Sequence, residues 1–169
     1  PLSSMSFNDV CLGEPVTFNG QTSSGAVVIH WYFGDGQSSD QTTATHMYQN
    51  PGEYTVTALF LGGCMNDTVT ETINIHSPPQ ATITIEPETL TTRTPAQFIY
   101  TGSSVSTYLW DLGNGYTSTE MSPANLYDLE GTYDISLLVT DQNGCTDTFT
   151  QTIEVLLAPV IYLPSAFRP

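Results

Sequence analysis

The chain has 169 residues, with 17 Asp and Glu against two basic residues, Arg93 and Arg168, for a formal charge of −15. Such a charge repels phosphate backbones and anionic membrane surfaces, so nucleic-acid binding and electrostatic membrane docking are not expected. Charged residues are nevertheless only 11% of the chain; this excludes an acidic disordered tail and points to a surface made mostly of Thr, Ser, Asn and Gln.

The first half reads as short segments rich in β-branched and aromatic residues: 16–18, 27–33, 54–60 and 69–75. In the third of these Tyr54, Val56 and Ala58 fall on one face and Thr55, Thr57 and Leu59 on the other, the period of two that marks a half-buried strand. Gly34-Asp35-Gly36, Asn50-Pro51-Gly52 and Gly62-Gly63 supply turns between them. The stretch His76-Ser77-Pro78-Pro79-Gln80 follows, and a Pro-Pro pair is stiff and extended. The second half predicts strands over 81–85, 96–100, 108–112, 133–140 and 149–155, broken at Gly113-Asn114-Gly115, Glu130-Gly131 and Asn143-Gly144. No helical period is found. Many short strands with Gly and Pro turns predict a β-sandwich. No segment reaches the roughly 18 apolar residues of a membrane span, so direct membrane insertion is not expected. No basic, then apolar, leader opens the chain, which starts at Pro1 and is read as a mature or trimmed piece of something longer.

The two halves are copies. Trp31-Tyr32-Phe33-Gly34-Asp35-Gly36 returns as Trp110-Asp111-Leu112-Gly113-Asn114-Gly115, 79 positions on. Phe18 matches Phe98, Tyr48 matches Tyr127, Tyr54 matches Tyr133, Cys64 matches Cys145 and Ile73 matches Ile153, with offsets of 79 to 81 that change only at turns. The expected organisation is a module over 1–76, a Pro-rich linker over 77–80, a second module over 81–156 and an apolar tail over 157–169 leading toward a further region. The stiff linker predicts modules placed end to end.

Three cysteines complete the pattern. Cys11 and Cys64 flank the first module, while Thr91 stands where the second would carry the partner of Cys145. The expectation is an optional disulfide between Cys11 and Cys64, which fits an oxidising, extracellular compartment; the alternative is two unpaired thiols. In a strict immunoglobulin-like topology the first turn and the last hairpin turn lie at opposite ends of the sandwich, and these sulfurs do not meet.

The phrase Trp-x-Phe-Gly-Asp-Gly, then His-x-Tyr, then Pro-Gly-x-Tyr-x-Val resembles the PKD domain, named for polycystic kidney disease. It runs through Trp31 to Gly36, His46-Met47-Tyr48 and Pro51-Gly52-Glu53-Tyr54-Thr55-Val56, and again through Trp110 to Gly115, Asn125-Leu126-Tyr127 and Gly131-Thr132-Tyr133-Asp134-Ile135. The resemblance implies an all-β fold of two tandem immunoglobulin-like sandwiches. Tyr32 stands in place of the usual Asp, Asn114 replaces the Asp of Gly-Asp-Gly, and Asn125 replaces the His. These departures suit a structural motif rather than a ligand set. Trp31 and Trp110 are expected as the central core side chains. Gly34, Gly36, Gly113 and Gly115 permit positive φ. Asp35 and Asn114 bond the backbone of their own turns. His46 bonds backbone near the turn. Tyr48, Tyr54, Tyr127 and Tyr133 complete the motif. The tail Ile161-Tyr162-Leu163-Pro164-Ser165-Ala166-Phe167-Arg168-Pro169 resembles the opening of the C-terminal sorting region of gliding-motility-associated proteins of Bacteroidetes, which implies type IX secretion to the cell surface. Gly63-Cys64-Met65-Asn66-Asp67-Thr68 and Gly144-Cys145-Thr146-Asp147-Thr148 resemble modules of such proteins, and Asp-Thr-apolar at Thr68 and Thr148 resembles their O-glycosylation sites.

Chemistry is sparse. His30, His46 and His76 lie far apart and show no metal-ligand spacing. No Gly-x-Ser-x-Gly elbow occurs, and no catalytic site or cofactor is expected. Calcium is the most plausible ion, through Asp35, Asp40, Asp111, Asn114 and Asp141, but these read better as solvated turn residues than as a ligand set. Two functions compete. One is a non-catalytic structural and interaction segment of a large cell-surface protein, an adhesin or filament component, whose partners are other domains or subunits of the assembly. The other is an accessory module of a secreted hydrolase that binds protein or glycan, with Tyr100, Tyr116 and Tyr162 as the candidate aromatics for a sugar.

Overall fold

The computed structural model describes residues 3–22, 27–61 and 66–159, and every regular element among them is a strand. The chain forms two compact units. The first holds Pro1–Pro78 together with Asn143–Cys145; the second holds Pro79–Gln142 and the chain from Thr146 on. Each unit is a sandwich of a three-stranded and a five-stranded sheet.

In the first unit the strands are β1 (Ser3–Ser6), β2 (Val10–Cys11), β3 (Val16–Thr22), β4 (Val27–Tyr32), β5 (Ser38–Ser39), β6 (Thr43–His46), β7 (Gly52–Leu61) and β8 (Asp67–His76). The smaller sheet runs β1-β3-β6 and the larger β2-β8-β7-β4-β5. The backbone of the first strand thus serves both sheets: β1 pairs antiparallel with β3, whereas β2 lies parallel to β8, with Val10 opposite Ile75. The second unit repeats this with β9 (Ile83–Glu86), β10 (Leu90–Thr91), β11 (Ala96–Tyr100), β12 (Thr107–Asp111), β13 (Thr117–Ser118), β14 (Ala124–Asn125), β15 (Gly131–Thr140) and β16 (Thr146–Leu156). Its sheets run β14-β11-β9 and β10-β16-β15-β12-β13. The expected strands at 16–18, 54–60, 69–75, 96–100, 133–140 and 149–155 each fall inside one of these elements. The two-residue strands were not legible, because a period of two needs more than two residues to show itself.

Alternation decides which side chains face inward. In β7, Val56, Ala58 and Phe60 are buried; in the matching β15, Ile135, Leu137 and Val139 are buried. The core of the first unit closes around Trp31 with Val16, Phe18, Ile73 and Ile75 from strands of both sheets. That of the second closes around Trp110 with Ala96, Phe98, Ile153 and Val155. Phe18 lies 5.6 Å from Trp31 and Phe98 6.0 Å from Trp110, both tilted, the separation and tilt that aromatic quadrupoles favour.

The cysteines correct the sequence reading. Cys11 is bonded to Cys145, 134 positions away, not to Cys64. Cys64 lies outside the described residues. The physical reason lies in the topology. Cys11 stands at the end of β2, beside His76 at the end of β8. β8 runs ten residues from Asp67 to His76, so Cys11 beside His76 is held a full strand length from the Asp67 end, farther than a disulfide spans. Asn143–Cys145 count with the first unit, and Cys145 is buried.

Truncating Trp31 or Trp110 to Ala is expected to destabilise its own unit by about 4 kcal/mol, read as a lowered urea midpoint for that unit alone. Mass spectrometry of a non-reduced digest is expected to return Cys11 and Cys145 in one linked peptide pair; a Cys11–Cys64 pair would contradict the fold.

Candidate functional site

The tryptophan motif builds one compact arrangement in each unit. Trp31 sits on β4 with its ring in the core, and its indole Nε1 donates to the carbonyl of Gln41 at 3.0 Å. Trp110 on β12 donates to the carbonyl of Glu120 at 2.9 Å. Two residues on, the chain leaves the strand: Phe33 N donates to Gln37 O at 3.1 Å, and Leu112 N to Tyr116 O at 3.0 Å. Inside each turn the side-chain oxygen at the fourth motif position after Trp caps the backbone. Gln37 N donates to Asp35 Oδ1 at 3.0 Å and Tyr116 N to Asn114 Oδ1 at 3.2 Å.

Gly34 and Gly113 are required by two independent facts. Their φ values are +90° and +76°, where L side chains are strained. A Cβ at either would also lie 2.6 Å from a backbone oxygen, that of Thr55 or Asp134. The turn is pressed against the following long strand, with no room for a methyl group.

A buried tyrosine then ties the turn down. Tyr48 Oη donates to Phe33 O at 2.9 Å, and Tyr127 Oη to Leu112 O at 2.8 Å. A second tyrosine lies against the first, Tyr54 on Tyr48 at 4.3 Å and Tyr133 on Tyr127 at 4.4 Å between ring centroids. Each of these donates to a carbonyl four residues earlier, Asn50 and Leu129, at 2.9 Å. Burial pushes both inner phenols above the ordinary tyrosine pKa. The negative charge of Asp35 adds to the effect at Tyr48; at Tyr127 a nearby Asn125 amide opposes it.

The units differ at one point of this arrangement. His46 does not bond backbone, as the sequence reading had it. Its Nε2 lies 2.7 Å from Asp35 Oδ2, its ring stacks on Phe33 at 4.2 Å and 6°, and Tyr48 meets it edge-on. Asp35 caps Gln37 N with Oδ1, which leaves Oδ2 turned toward the imidazole. Burial pushes the Asp35 carboxyl up, but the bond from Gln37 N–H and the bond and charge of His46 outweigh it. Its pKa lies below the usual carboxylate range. In the second unit Asn125 takes the place of His46, and its buried Nδ2 has no well-formed hydrogen bond among the described residues.

The other candidates are scattered. Asp40 pairs with His30, Asp111 Oδ1 accepts from Gly113 N at 2.9 Å, and Asp35 is spent on His46, so the acidic turn residues do not converge. Among the described residues no group of three or more His, Cys, Asp and Glu is placed to hold a metal. Tyr100 is buried, its hydroxyl donating to Ser103 O at 2.7 Å, while Tyr116 is 46% exposed. Tyr162 and the rest of the tail from 160 on lie outside the described residues. Tyr32, which stands in the motif only as a departure from Asp, is 48% exposed beside His30. Thr68 and Thr148 are exposed, and each N–H is held by its preceding aspartate, Asp67 or Asp147. Asp147 also accepts from Ala81 N at 2.8 Å, a backbone role that explains an Asp at that place.

The sequence profile of the PKD domain matches twice, over residues 3–75 and 76–157. The chain belongs to the PKD domain family. Over 52 residues it is 50% identical to the pre-pro-metalloprotease PrtV of Vibrio cholerae, a match covering 31% of this chain and 6% of that protein. It is 28% identical to collagenase ColA of Clostridium perfringens over 116 residues, covering 66% of this chain and 10% of that protein. The chain therefore spans a tenth or less of the length of these relatives. Among solved structures, the PKD1 domain of the Vibrio cholerae metalloprotease PrtV is 39% identical, with 46% of this chain and 96% of that one covered and a TM-score of 0.41. The PKD1 domain of Vibrio anguillarum Epp is 32% identical over 48% of this chain and 96% of that one, with a TM-score of 0.43.

Both PKD turns give testable consequences. Gly34→Ala and Gly113→Ala are expected to destabilise their units by about 3 kcal/mol or more, since backbone strain and overlap add; thermal unfolding checks this. The inner tyrosines predict an alkaline limit. Because their folded pKa is raised, the neutral phenol contributes stability that is complete below the ordinary phenol pKa of about 10 and is lost as pH rises through and above it. Absorbance at 295 nm is expected to show two phenols ionising only together with unfolding, and Tyr48→Phe with Tyr127→Phe to remove that step.

Proposed function

We propose that the chain is a non-catalytic pair of PKD modules in a larger exported protein, where it holds or presents other parts rather than transforming a substrate. The observation that carries this reading is how the motif spends its reactive side chains. The indoles bond carbonyls ten residues on, the inner phenols bond the carbonyl that opens the turn, and Asp35 and His46 bond each other. Groups committed to internal bonds offer nothing to a substrate.

The relatives named above as a metalloprotease and a collagenase support placing the modules as accessories of a secreted hydrolase. In that setting they would bear on protein or glycan near a catalytic domain elsewhere in the protein. The exposed Tyr32 and Tyr116 are the described aromatics available to such a surface. Extracellular placement accords with a disulfide. A second reading, a segment of a cell-surface assembly exported by the type IX route and O-glycosylated at Thr68 and Thr148, is favoured by the Gly-Cys-x-Asp-Thr phrases and the 161–169 tail.

The 169-residue chain is expected to leave gelatin and casein uncut and to co-sediment with insoluble collagen or chitin. Turnover of either protein would overturn the non-catalytic reading. Failure to sediment with both polymers would overturn the hydrolase-accessory role and leave the surface-assembly one.

A further inference from the structure

All three histidines of the chain lie in the first unit, which has neither Lys nor Arg, and each is set against an aspartate. His46 meets Asp35 at 2.7 Å, His76 meets Asp9 at 3.8 Å, and His30 pairs with Asp40. The second unit replaces both members of every pair. Asn125 and Asn114 stand for His46 and Asp35, Leu109 and Thr119 for His30 and Asp40, and Leu156 and Thr89 for His76 and Asp9. The strand registers confirm the equivalence: Cys11 lies opposite His76 as Thr91 lies opposite Leu156, and Trp31 opposite Ser39 as Trp110 opposite Ser118.

We propose that the first unit carries an acid-operated latch on its tryptophan turn, the Asp35–His46 pair, and that the second unit is the same fold with the latch made neutral. The pair is the one place where the difference reaches the core. Its two side chains are 14% and 8% exposed, against 83% for Asp40 and 47% for Asp9 in the outer pairs. Exposed pairs contribute little, whereas a screened-off pair that loses one charge leaves the other uncompensated.

The groups that face the latch are few. Asp35 and His46 face each other. Phe33 covers one side of the imidazole and Tyr48 its edge, with Tyr54 behind Tyr48. Among these the titratable groups besides the pair itself are the two phenols, which are uncharged in acid. Protonating Asp35 therefore removes the carboxylate from beside an imidazole that Phe33 and Tyr48 hold in place. The oxygen that caps Gln37 N also loses most of its acceptor strength. The depressed pKa of Asp35 fixes the sign: the latch contributes above the ordinary carboxylate range and is lost as pH falls below it. Asn114 and Asn125 have no proton to gain, so the second turn keeps its amide cap on Tyr116 N; its carboxylate bond, from Gly113 N to Asp111, is solvent-exposed and set outside the Asn114–Asn125 position.

Hydrogen exchange of the whole chain, read by mass spectrometry at pH 7 and pH 3 and corrected for the intrinsic rate, tests this. Amides over 33–48 are expected to lose more of their protection between the two pH values than those over 112–127. The double variant D35N/H46N is expected to abolish that difference, and N114D/N125H, made separately, to give the second turn an acid response of its own. Equal loss in both turns, no loss in the first, or an unchanged second turn in N114D/N125H would each overturn the latch. The last of these decides the matter even where D35N/H46N does not fold.

Discussion

An indole N–H cannot be left without an acceptor in a dry core, and both units meet that demand in the same way. The tryptophan on the fourth or twelfth strand reaches the carbonyl ten residues on, at 3.0 Å in one unit and 2.9 Å in the other. That bond fixes where the short edge strand must run, and hence the shape of the turn between them. The turn in turn needs a glycine, because its backbone lies against the long strand that follows. A buried tyrosine then closes it by bonding the carbonyl two residues past the tryptophan. Core, turn and cap are thus one connected structure, and the remaining strands pack around it.

This arrangement explains why the repeat survives where it does and drifts elsewhere. Tryptophan and tyrosine positions carry buried hydrogen bonds, and the glycine positions a backbone shape and a close approach that a side chain would not fit. Asp35 and Asn114 differ in charge but present the same oxygen to the turn backbone. Position 46 and its match at 125 need only a flat polar group beside that oxygen. Imidazole fills the place fully, bonded and stacked; the shorter amide leaves one buried donor poorly satisfied. A buried donor without a good acceptor costs about 1–3 kcal/mol, so the second turn holds a less favourable version of the same lock.

Several features were legible beforehand because they are local. Alternation over Tyr54 to Phe60 identifies a strand and its inward face without reference to any partner. Gly-Asp-Gly and Gly-Asn-Gly announce turns whose geometry the residue types demand. Offsets of 79 and 80 at matched aromatics require two copies of one architecture. The two-residue strands, the pairing of His46 with Asp35 and the partner of Cys11 were not legible. Each depends on residues brought close only by sheet formation, such as Asp9 accepting from Asn74 N across 65 positions.

The amino-acid order by itself determined an all-β chain of two homologous units, each centred on a tryptophan motif that resembles the PKD domain, since period, turn chemistry and self-similarity are all written along the chain. Only the tertiary structure decided which acceptors satisfy the buried donors and which sulfur meets Cys11. A hydrogen bond or a disulfide forms between atoms a few ångströms apart, and that proximity is set by strand order and register, which no single stretch of the chain encodes.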